Sequence, residues 1–180
     1  MRIYGNRVLK TVPGRGVRPT PARVREALFN IWPGPITGCR WLDLCAGNGS
    51  MGAEALCRGA SVVVGIEQNG QACGVIRQNW SAIAKSEQNF RLLRGDVRHR
   101  ITQLAGDTFD FIYFDPPYAS ELYDPVITQV AKLGLLNPTA ELAVEYDPNC
   151  WTPSAIVGLT DIRHKTYGNT ALVFYTPDWD

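Results

Sequence analysis

The sequence predicts an α/β fold with a doubly wound, mostly parallel sheet of seven strands. Short apolar runs, rich in β-branched and aromatic residues, alternate with helical patterns from residue 39 onwards. This alternation is typical of parallel strands joined by helices that cover both faces of a sheet. After Pro153 the pattern changes to two runs, 159–166 and 170–176, which predict a terminal antiparallel hairpin. A length of 180 residues is enough for a substantial core.

A basic extension at residues 1–35 precedes the main domain at residues 36–180. The extension starts with a short hairpin pattern around Gly5-Asn6, which is followed by a loop rich in proline and glycine. A helix then begins after Thr20, whose hydroxyl can cap the N-terminus, and ends at Pro33-Gly34-Pro35. The extension is therefore a small hairpin and helix in front of the sheet.

Positive charge is concentrated in this extension, because seven basic residues precede the first acidic residue, Glu26. The helical periodicity places Arg25 off the apolar face of its helix. The rest of the chain carries 11 basic and 17 acidic residues. A basic arm on a mildly acidic body indicates a polyanionic partner, although a solvated tail has the same composition. The seven residues are Arg2, Arg7, Lys10, Arg15, Arg18, Arg23 and Arg25.

The main domain contains five predicted strands before the hairpin, and an acidic residue lies at the end of each of the first four. The strands are 40–45, 61–66, 90–94, 109–114 and 141–146, and the helices between them are 51–58, 69–85, 97–104 and 121–133. The acidic residues are Asp43, Glu67, Asp96 and Asp115. Because ligands of open α/β sheets bind at the carboxyl ends of the strands, the four carboxylates predict one binding site.

A glycine-rich loop follows the first of these strands. Gly47 and Gly49 allow a tight turn and a close approach of a ligand to the backbone, and the next helix offers unpaired N–H groups. Glu67 ends the second strand, where a carboxylate can bind ribose hydroxyls. Together with Gly52, however, these residues also satisfy the G-x-G-x-x-G pattern of NAD-binding proteins. The pattern alone does not separate NAD from S-adenosylmethionine.

Two carboxylates favour S-adenosylmethionine. Asp43 precedes the glycine loop, where it can neutralise the ammonium of an amino acid but would repel a pyrophosphate. Asp96, at the end of the third strand, can accept a hydrogen bond from an adenine amino group. The alternative for Asp96 is a structural one, as the N-cap of the next helix.

The sequence Asp115-Pro116-Pro117-Tyr118 directly follows the strand at 109–114. The prolines end the strand in a stiff turn. The turn presents the Asp115 carboxylate, the Pro116 carbonyl and the Tyr118 ring, which suit a planar nucleobase amine. Two acceptors can bind the amine, while stacking on the ring contributes about 1–3 kcal/mol once the base has left its helix. The alternative is a proline turn beside a core tyrosine.

Neither a metal site nor a membrane partner is expected. The five cysteines form no C-x-x-C pair and the two histidines lie far apart, so the spacing of zinc ligands is missing. No apolar run is long enough for a membrane span, and no secretory signal precedes the domain. The expectation is a cytoplasmic monomer with reduced thiols.

The order of these motifs resembles class I S-adenosylmethionine-dependent methyltransferases that act on exocyclic amino groups. More narrowly, the chain is similar to the bacterial 16S ribosomal RNA guanine-N2 methyltransferase D family, over nearly its whole length. The matching stretches are RPTPARVREALFN (18–30), LDLCAGNG (42–49), EALCRGA (54–60), FDFIYFDPPY (109–118) and YGNT (167–170). Cys45 and Asn48 stand where Phe and Ser are more usual in that family.

The resemblance implies methylation of the 2-amino group of one guanine, guanine 966, in the 16S rRNA of an assembled or assembling small subunit. It implies that Asp115, Pro116 and Tyr118 contact the base. The implied S-adenosylmethionine contacts are Asp43, Ala46, Gly47, Gly49, Glu67, Gln68, Asp96, Val97 and Asp115. The implied RNA contacts are Thr20 and the seven basic residues of the extension.

Three other functions compete with this interpretation. A DNA amino-methyltransferase would share the motifs, but the chain has no room for a domain that reads sequence. An NAD-dependent oxidoreductase would share the glycine pattern, but Asp43 and the Asp115 turn count against it. A non-catalytic RNA-binding assembly factor would keep the fold without the chemistry.

Overall fold

The computed structural model describes residues 1–12, 22–32 and 36–178. Its strands are β1 Arg2–Ile3, β2 Arg7–Val8, β3 Arg40–Leu44, β4 Val62–Glu67, β5 Asn89–Arg94, β6 Phe109–Phe114, β7 Leu136–Tyr146, β8 Leu159–Tyr167 and β9 Thr170–Pro177. Its helices are α1 Ala22–Ile31, α2 Ser50–Cys57, α3 Gly70–Ile83, α4 Val97–Arg100 and α5 Tyr123–Lys132, and 3-10 turns lie at Tyr4–Asn6 and Ile101–Leu104.

Seven strands form one sheet in the order β5-β4-β3-β6-β7-β9-β8. The strands from β5 to β7 are parallel, whereas β9 runs antiparallel to both β7 and β8. The predicted α/β fold with its terminal hairpin is therefore confirmed. The reversed strand next to β7 also distinguishes this sheet from the all-parallel order of dinucleotide-binding Rossmann domains.

The chain reverses its direction across the sheet at β3. From β3 it builds outwards through β4 and β5, then returns to β6 on the other side of β3. In the register of β3 and β6, Leu44 lies opposite Phe114, so the two strands end side by side. Such a switch point opens a crevice at the carboxyl ends of the strands. It brings the glycine loop after β3 next to the Asp115 turn after β6.

Helices cover both faces of the sheet because strand residues alternate between them. On one face, α4 and α5 pack against a core that includes Leu42, Val64 and Ile112. On the other face, α1, α2 and α3 pack against a core that includes Trp41 and Val63. Within the described ranges, no helix is long and apolar enough to cross a membrane.

The described part of the extension packs on the second of these cores. Ile3 and Leu9 from the hairpin region and Leu28 from α1 are buried in the same cluster as Trp41. The backbone N–H of Lys10 also donates to the Asn79 side chain of α3 at 3.0 Å. The predicted helix cap at Thr20 and the predicted stop at Pro33-Gly34-Pro35 lie outside the described residues.

Arg25 corrects the predicted orientation of α1. Its side chain is only 2% exposed, and its Nε donates to the buried carboxylate of Glu54 on α2 at 2.5 Å. Its Nη2 donates to the Arg2 carbonyl at 2.9 Å. The sequence pattern assigned Arg25 to the polar face because arginine is seldom buried, but a buried carboxylate on α2 satisfies it here.

The elements agree with the prediction except at β7. This strand starts at Leu136 rather than at 141 and includes Pro138, a residue that argues against a regular strand. Its pairing with β6 is irregular here, because the register shifts between Phe109 and Phe111. The irregular register accommodates the proline and extends the strand.

Candidate active site

A cleft of about 990 Å³ opens at the carboxyl ends of the parallel strands. Ten of the residues predicted for cofactor or base contacts line it. These are Asp43, Ala46, Gly47, Glu67, Gln68, Asp96, Val97, Asp115, Pro116 and Tyr118. The volume lies at the upper end of the usual range for small-molecule sites, so the cleft has room for a nucleoside cofactor and a part of a second substrate.

The glycine loop after β3 is held in an unusual backbone conformation. Cys45, Gly47 and Gly49 have positive φ angles of 62°, 58° and 72°. Only glycine adopts this region readily, so Cys45 is a strained position of the kind that functional loops contain. The loop turns sharply enough to expose its backbone to the cleft.

Glu67 fixes this loop from the end of β4. Its two carboxylate oxygens accept hydrogen bonds from the backbone N–H of Gly47 at 2.8 Å and of Asn69 at 2.7 Å. Asn69 in turn caps α3 through its own side chain. The carboxylate of Glu67 therefore connects the glycine loop to the start of α3 while facing the cleft.

Asp43 is a buried carboxylate at the floor of the cleft. It is 1% exposed, and its Oδ2 accepts the backbone N–H of Gly52 at 3.2 Å. Burial raises the pKa of Asp43 to about 7, with a smaller contribution from Glu67, against the opposing effect of the Gly52 hydrogen bond. A cationic ligand group beside Asp43 would offset this cost, since an opposite charge favours the ionised carboxylate.

Gly49 and Gly52 serve packing rather than the wall of the cleft. Gly49, whose cofactor contact stays a prediction, is not one of the residues that line the cleft, and its carbonyl accepts the Trp80 indole N–H at 2.8 Å. A Cβ at Gly52 would lie 2.4 Å from the Trp80 ring, and one at Gly65 would lie 2.6 Å from it. The second and third glycines of the pattern therefore admit the Trp80 side chain between α2 and β4.

Asp96 acts as the N-cap of α4, which was the structural alternative. Its carboxylate accepts the backbone N–H of Arg98 at 2.9 Å and forms an ion pair with the Arg98 guanidinium at 2.6 Å. The hydrogen bond from the Arg98 side chain is the main reason that the pKa of Asp96 falls to about 2. Asp96, Val97 and Arg98 all line the cleft, so this part of its wall carries one negative and one positive side chain.

The Asp115 turn also lines the cleft. The backbone N–H of Asp115 donates to the Leu44 carbonyl of β3 at 3.4 Å. This bond links the turn to the strand that leads into the glycine loop. The Tyr118 hydroxyl donates to Oε1 of Glu145 at 2.9 Å and lies 3.0 Å from Oγ1 of Thr170. Burial, together with the nearby Glu145 carboxylate, raises the pKa of Tyr118 well above its usual value.

Glu145, Tyr113 and Thr170 are site residues that the sequence analysis missed. Glu145 is 1% exposed and lines the cleft, and its second oxygen accepts a hydrogen bond from the Tyr113 hydroxyl. A charged residue inside the apolar run of the fifth predicted strand was the available signal. Its partners are Tyr113 on β6 and Tyr118 in the turn that follows β6, so the contact itself could not be inferred from the local pattern.

The predicted RNA contacts divide into three groups. Arg2, Arg7, Lys10 and Arg23 are exposed, and Arg23 lies 6.0 Å from the centre of the Tyr167 ring. Arg25 is buried in its ion pair with Glu54 and does not reach solvent, so its predicted RNA contact is not supported. Arg15, Arg18 and Thr20 lie outside the described residues.

The fold and the cleft together define a class I methyltransferase. A solved structure from Escherichia coli, assigned as a methyltransferase, has a TM-score of 0.85 and 28% identity, covering 100% of this chain and 99% of that chain. This likeness extends over the sheet, the terminal hairpin and the described extension.

Sequence comparisons identify the family. A family profile described as "Conserved hypothetical protein 95" matches residues 1–176. Ribosomal RNA small subunit methyltransferase D of Haemophilus influenzae is 30% identical over 158 residues, which cover 83% of this chain and 82% of that protein. The protein of the same name from Escherichia coli K12 is 29% identical over 180 residues, which cover 97% of this chain and 89% of that protein. The chain belongs to this family, that of the ribosomal RNA small subunit methyltransferases D, which confirms the resemblance drawn from its motifs.

Proposed function

We propose that this enzyme transfers a methyl group from S-adenosylmethionine to the 2-amino group of one guanine, guanine 966, in 16S rRNA. The observation that carries the proposal is the adjacency of β3 and β6. It brings a buried carboxylate, Asp43, and the Asp115-Pro116-Pro117-Tyr118 turn to the same cleft. One side can therefore hold a cationic nucleoside cofactor while the other holds a planar amine.

The residues of the first side fit S-adenosylmethionine. Among the described residues, no cationic side chain forms an ion pair with the buried Asp43, and an amino-acid ammonium would supply that charge. Glu67 faces the cleft and keeps acceptor capacity for ribose hydroxyls beyond its two backbone bonds. Gln68 and Val97 provide polar and apolar wall on the same side. A pyrophosphate would meet three carboxylates here, which counts against NAD.

The residues of the second side fit an aromatic amine. S-adenosylmethionine supplies a methyl group on a positively charged sulfur, so no covalent enzyme intermediate is needed. The Asp115 carboxylate and the Pro116 carbonyl accept the two N–H bonds of the amine and direct its lone pair towards that methyl. As the N–C bond forms and the S–C bond of the cofactor breaks, the nitrogen would become positive, and the Asp115 carboxylate would stabilise this charge. S-adenosylhomocysteine would then leave, and the nitrogen would lose one proton to give the neutral methylated amine. Most of the rate enhancement then comes from positioning and electrostatics.

RNA binding is proposed for the exposed basic residues of the extension. Arg2, Arg7 and Lys10 lie on the hairpin region, and Arg23 lies on α1 near Tyr167. Phosphate contacts of this kind hold and orient RNA without reading its sequence. Selection of the guanine therefore depends on contacts inside the cleft. The target base must be unpaired or flipped so that it can enter the cleft beside Tyr118. We place the reaction in the cytoplasm, on the small subunit or an assembly intermediate. The enzyme acts as a monomer, whose chain divides near residue 35 into the basic extension and the methyltransferase domain.

The test is transfer of labelled methyl groups from S-adenosylmethionine to three acceptors: small ribosomal subunits with unmodified 16S rRNA, protein-free 16S rRNA and duplex DNA. Digestion then identifies the labelled base. The proposal expects label on N2 of a single guanine, with subunits preferred where ribosomal proteins help to form the site. Label that appears only in DNA would contradict the proposed RNA substrate. Tight cofactor binding without transfer to any acceptor would favour a non-catalytic assembly factor.

A further inference from the structure

We propose that Glu145 and Thr170 are positioning residues that hold the Tyr118 ring in place for the target base. This inference rests on the proposed function, because it assigns how the base side of the cleft is prepared. It also gives the C-terminal hairpin a role in the reaction, since Thr170 is the first residue of β9.

The contacts form a chain across three strands of the sheet. Tyr113 on β6 donates to one oxygen of Glu145, and Tyr118 donates to the other at 2.9 Å. The Tyr118 hydroxyl has only one hydrogen, so the 3.0 Å contact with Thr170 must be donated by Thr170. Glu145 is 1% exposed and Thr170 is 4% exposed, so both anchors are fixed within the protein.

The sheet register explains why these residues meet beside the reacting amine. Phe114 on β6 lies opposite Val144 on β7, so the next residues along the two strands are Asp115 and Glu145. On the other side of β7, Tyr146 pairs with Ala171, which places Thr170 at the same end of the sheet. The groups that hold Tyr118 therefore come from β7 and β9, the next two strands on one side of β6.

Holding the hydroxyl of Tyr118 fixes the position of its ring. A tyrosine side chain at the mouth of a cleft would otherwise sample several rotamers, and a base that stacks on it would have to select one. Two hydrogen bonds at the far end of the side chain remove this freedom before the base arrives. Hydrogen bonds to a buried carboxylate are also stronger than those between neutral groups. The result is a pre-organised stacking surface, which raises turnover rather than cofactor affinity.

A direct role for Glu145 is the main alternative, since its side chain lines the cleft. In that case the carboxylate would bind the guanine itself, and its effect would not depend on the Tyr118 hydroxyl. The observations favour positioning, because each Glu145 oxygen already accepts a tyrosine hydroxyl. The two roles predict different coupling between substitutions.

The experiment is a double-mutant cycle of Glu145→Gln and Tyr118→Phe, with methyl transfer to small subunits carrying unmodified 16S rRNA as the readout. Glu141→Gln is the matched control, because Glu141 is a partly buried glutamate on the same strand that bonds Trp32 and Arg163 instead. Tyr118→Phe is expected to lower kcat by about 10-fold, as for one charge-assisted hydrogen bond, with an unchanged Kd for the cofactor. When Tyr118→Phe is already present, adding Glu145→Gln should have no further effect on kcat.

A second measurement keeps the inference testable without catalysis. In protein labelled with 3-fluorotyrosine, the Tyr118 resonance is the one lost in Tyr118→Phe. It should move towards the position of an unfolded tyrosine in Glu145→Gln and in Thr170→Val, and stay in place in Glu141→Gln. An equal loss of kcat from Glu145→Gln with and without Tyr118→Phe, or an unmoved resonance, would overturn the positioning role. If the wild-type chain methylates none of the RNA acceptors, the proposed function fails. The position of the Tyr118 resonance in the variants still shows whether Glu145 and Thr170 hold the ring.

Discussion

The two sides of the cleft hold their polar groups by different means. On the cofactor side, Asp43 and Glu67 accept hydrogen bonds from backbone N–H groups of the glycine loop, α2 and the residue that caps α3. On the base side, Glu145 is held by the hydroxyls of Tyr113 and Tyr118. Backbone donors keep the shape of a loop, whereas hydroxyls keep the position of side chains. We infer that the first side mainly determines cofactor affinity and the second mainly determines turnover.

The largest expected effect is on the base side. Asp115→Ala should lower kcat by about 10²–10³-fold, because it removes the group that stabilises positive charge on the amine. Cofactor affinity should stay close to that of the wild type, since Asp43 and Glu67 are unchanged. A turnover assay measures kcat, and calorimetry measures cofactor affinity separately. Near-normal turnover of the variant would contradict the proposed role of Asp115.

The matching substitution on the cofactor side is Asp43→Asn. The amide keeps an acceptor for the Gly52 N–H but loses the negative charge that would pair with an ammonium. Cofactor affinity should fall by about 10–100-fold, as for a charged hydrogen bond. At saturating cofactor, kcat should change much less. A large fall in kcat at unchanged Kd would contradict the division between the two sides.

Packing behind the glycine loop gives a smaller effect. Gly52→Ala places a methyl group 2.4 Å from the Trp80 ring, so either the ring or α2 must move. Overpacking of this kind costs about 1–3 kcal/mol in the free energy of unfolding. Denaturant unfolding measures this cost. Gly74→Ala on α3 is the control, because a Cβ at that position meets no atom within 4 Å. Equal stability of the two variants would show that Trp80 does not fill the space left by Gly52.

The smallest effect is the pH dependence that Asp43 gives to the protein without cofactor. Its pKa is raised from 3.8 to about 7, so the folded state holds a proton that the unfolded state has lost. This contribution is complete below the unfolded pKa and is lost as the pH rises through 7. Between pH 6 and pH 8, the wild type should lose on the order of 1 kcal/mol of stability that Asp43→Asn keeps. Parallel stability curves over this range would contradict the raised pKa.

How much was predictable from the sequence also differs between the two sides. Asp43, Gly47 and Glu67 lie within 25 residues of each other, in a motif whose spacing indicates its geometry. Glu145 and Thr170 are separated from Tyr118 by 27 and 52 residues, and only the sheet order brings them together. The strand pattern predicted each element but not which side chains would face each other across three strands.

One local prediction failed because the partner of the residue is distant in sequence. Arg25 was assigned to a polar helix face, but its side chain is buried against the Glu54 carboxylate, which lies on α2, 29 residues away. The Trp80 indole that bonds the Gly49 carbonyl is similarly distant in sequence, and it shows a packing role of the glycine loop that the motif does not reveal. The cofactor contact of Gly49 stays a prediction. Short motifs therefore indicated the chemistry of the site better than its supporting contacts.

The central claim is that the Asp115 turn presents a guanine amine of 16S rRNA to the cofactor. The most direct measurement is nucleoside mass spectrometry of 16S rRNA from a bacterial strain that lacks its own member of this family and expresses either the wild-type chain or Asp115→Ala. The account predicts N2-methylguanosine at one position with the wild type and none with the variant. Absence of this nucleoside with the wild type, or its presence at equal level with the variant, would contradict the account.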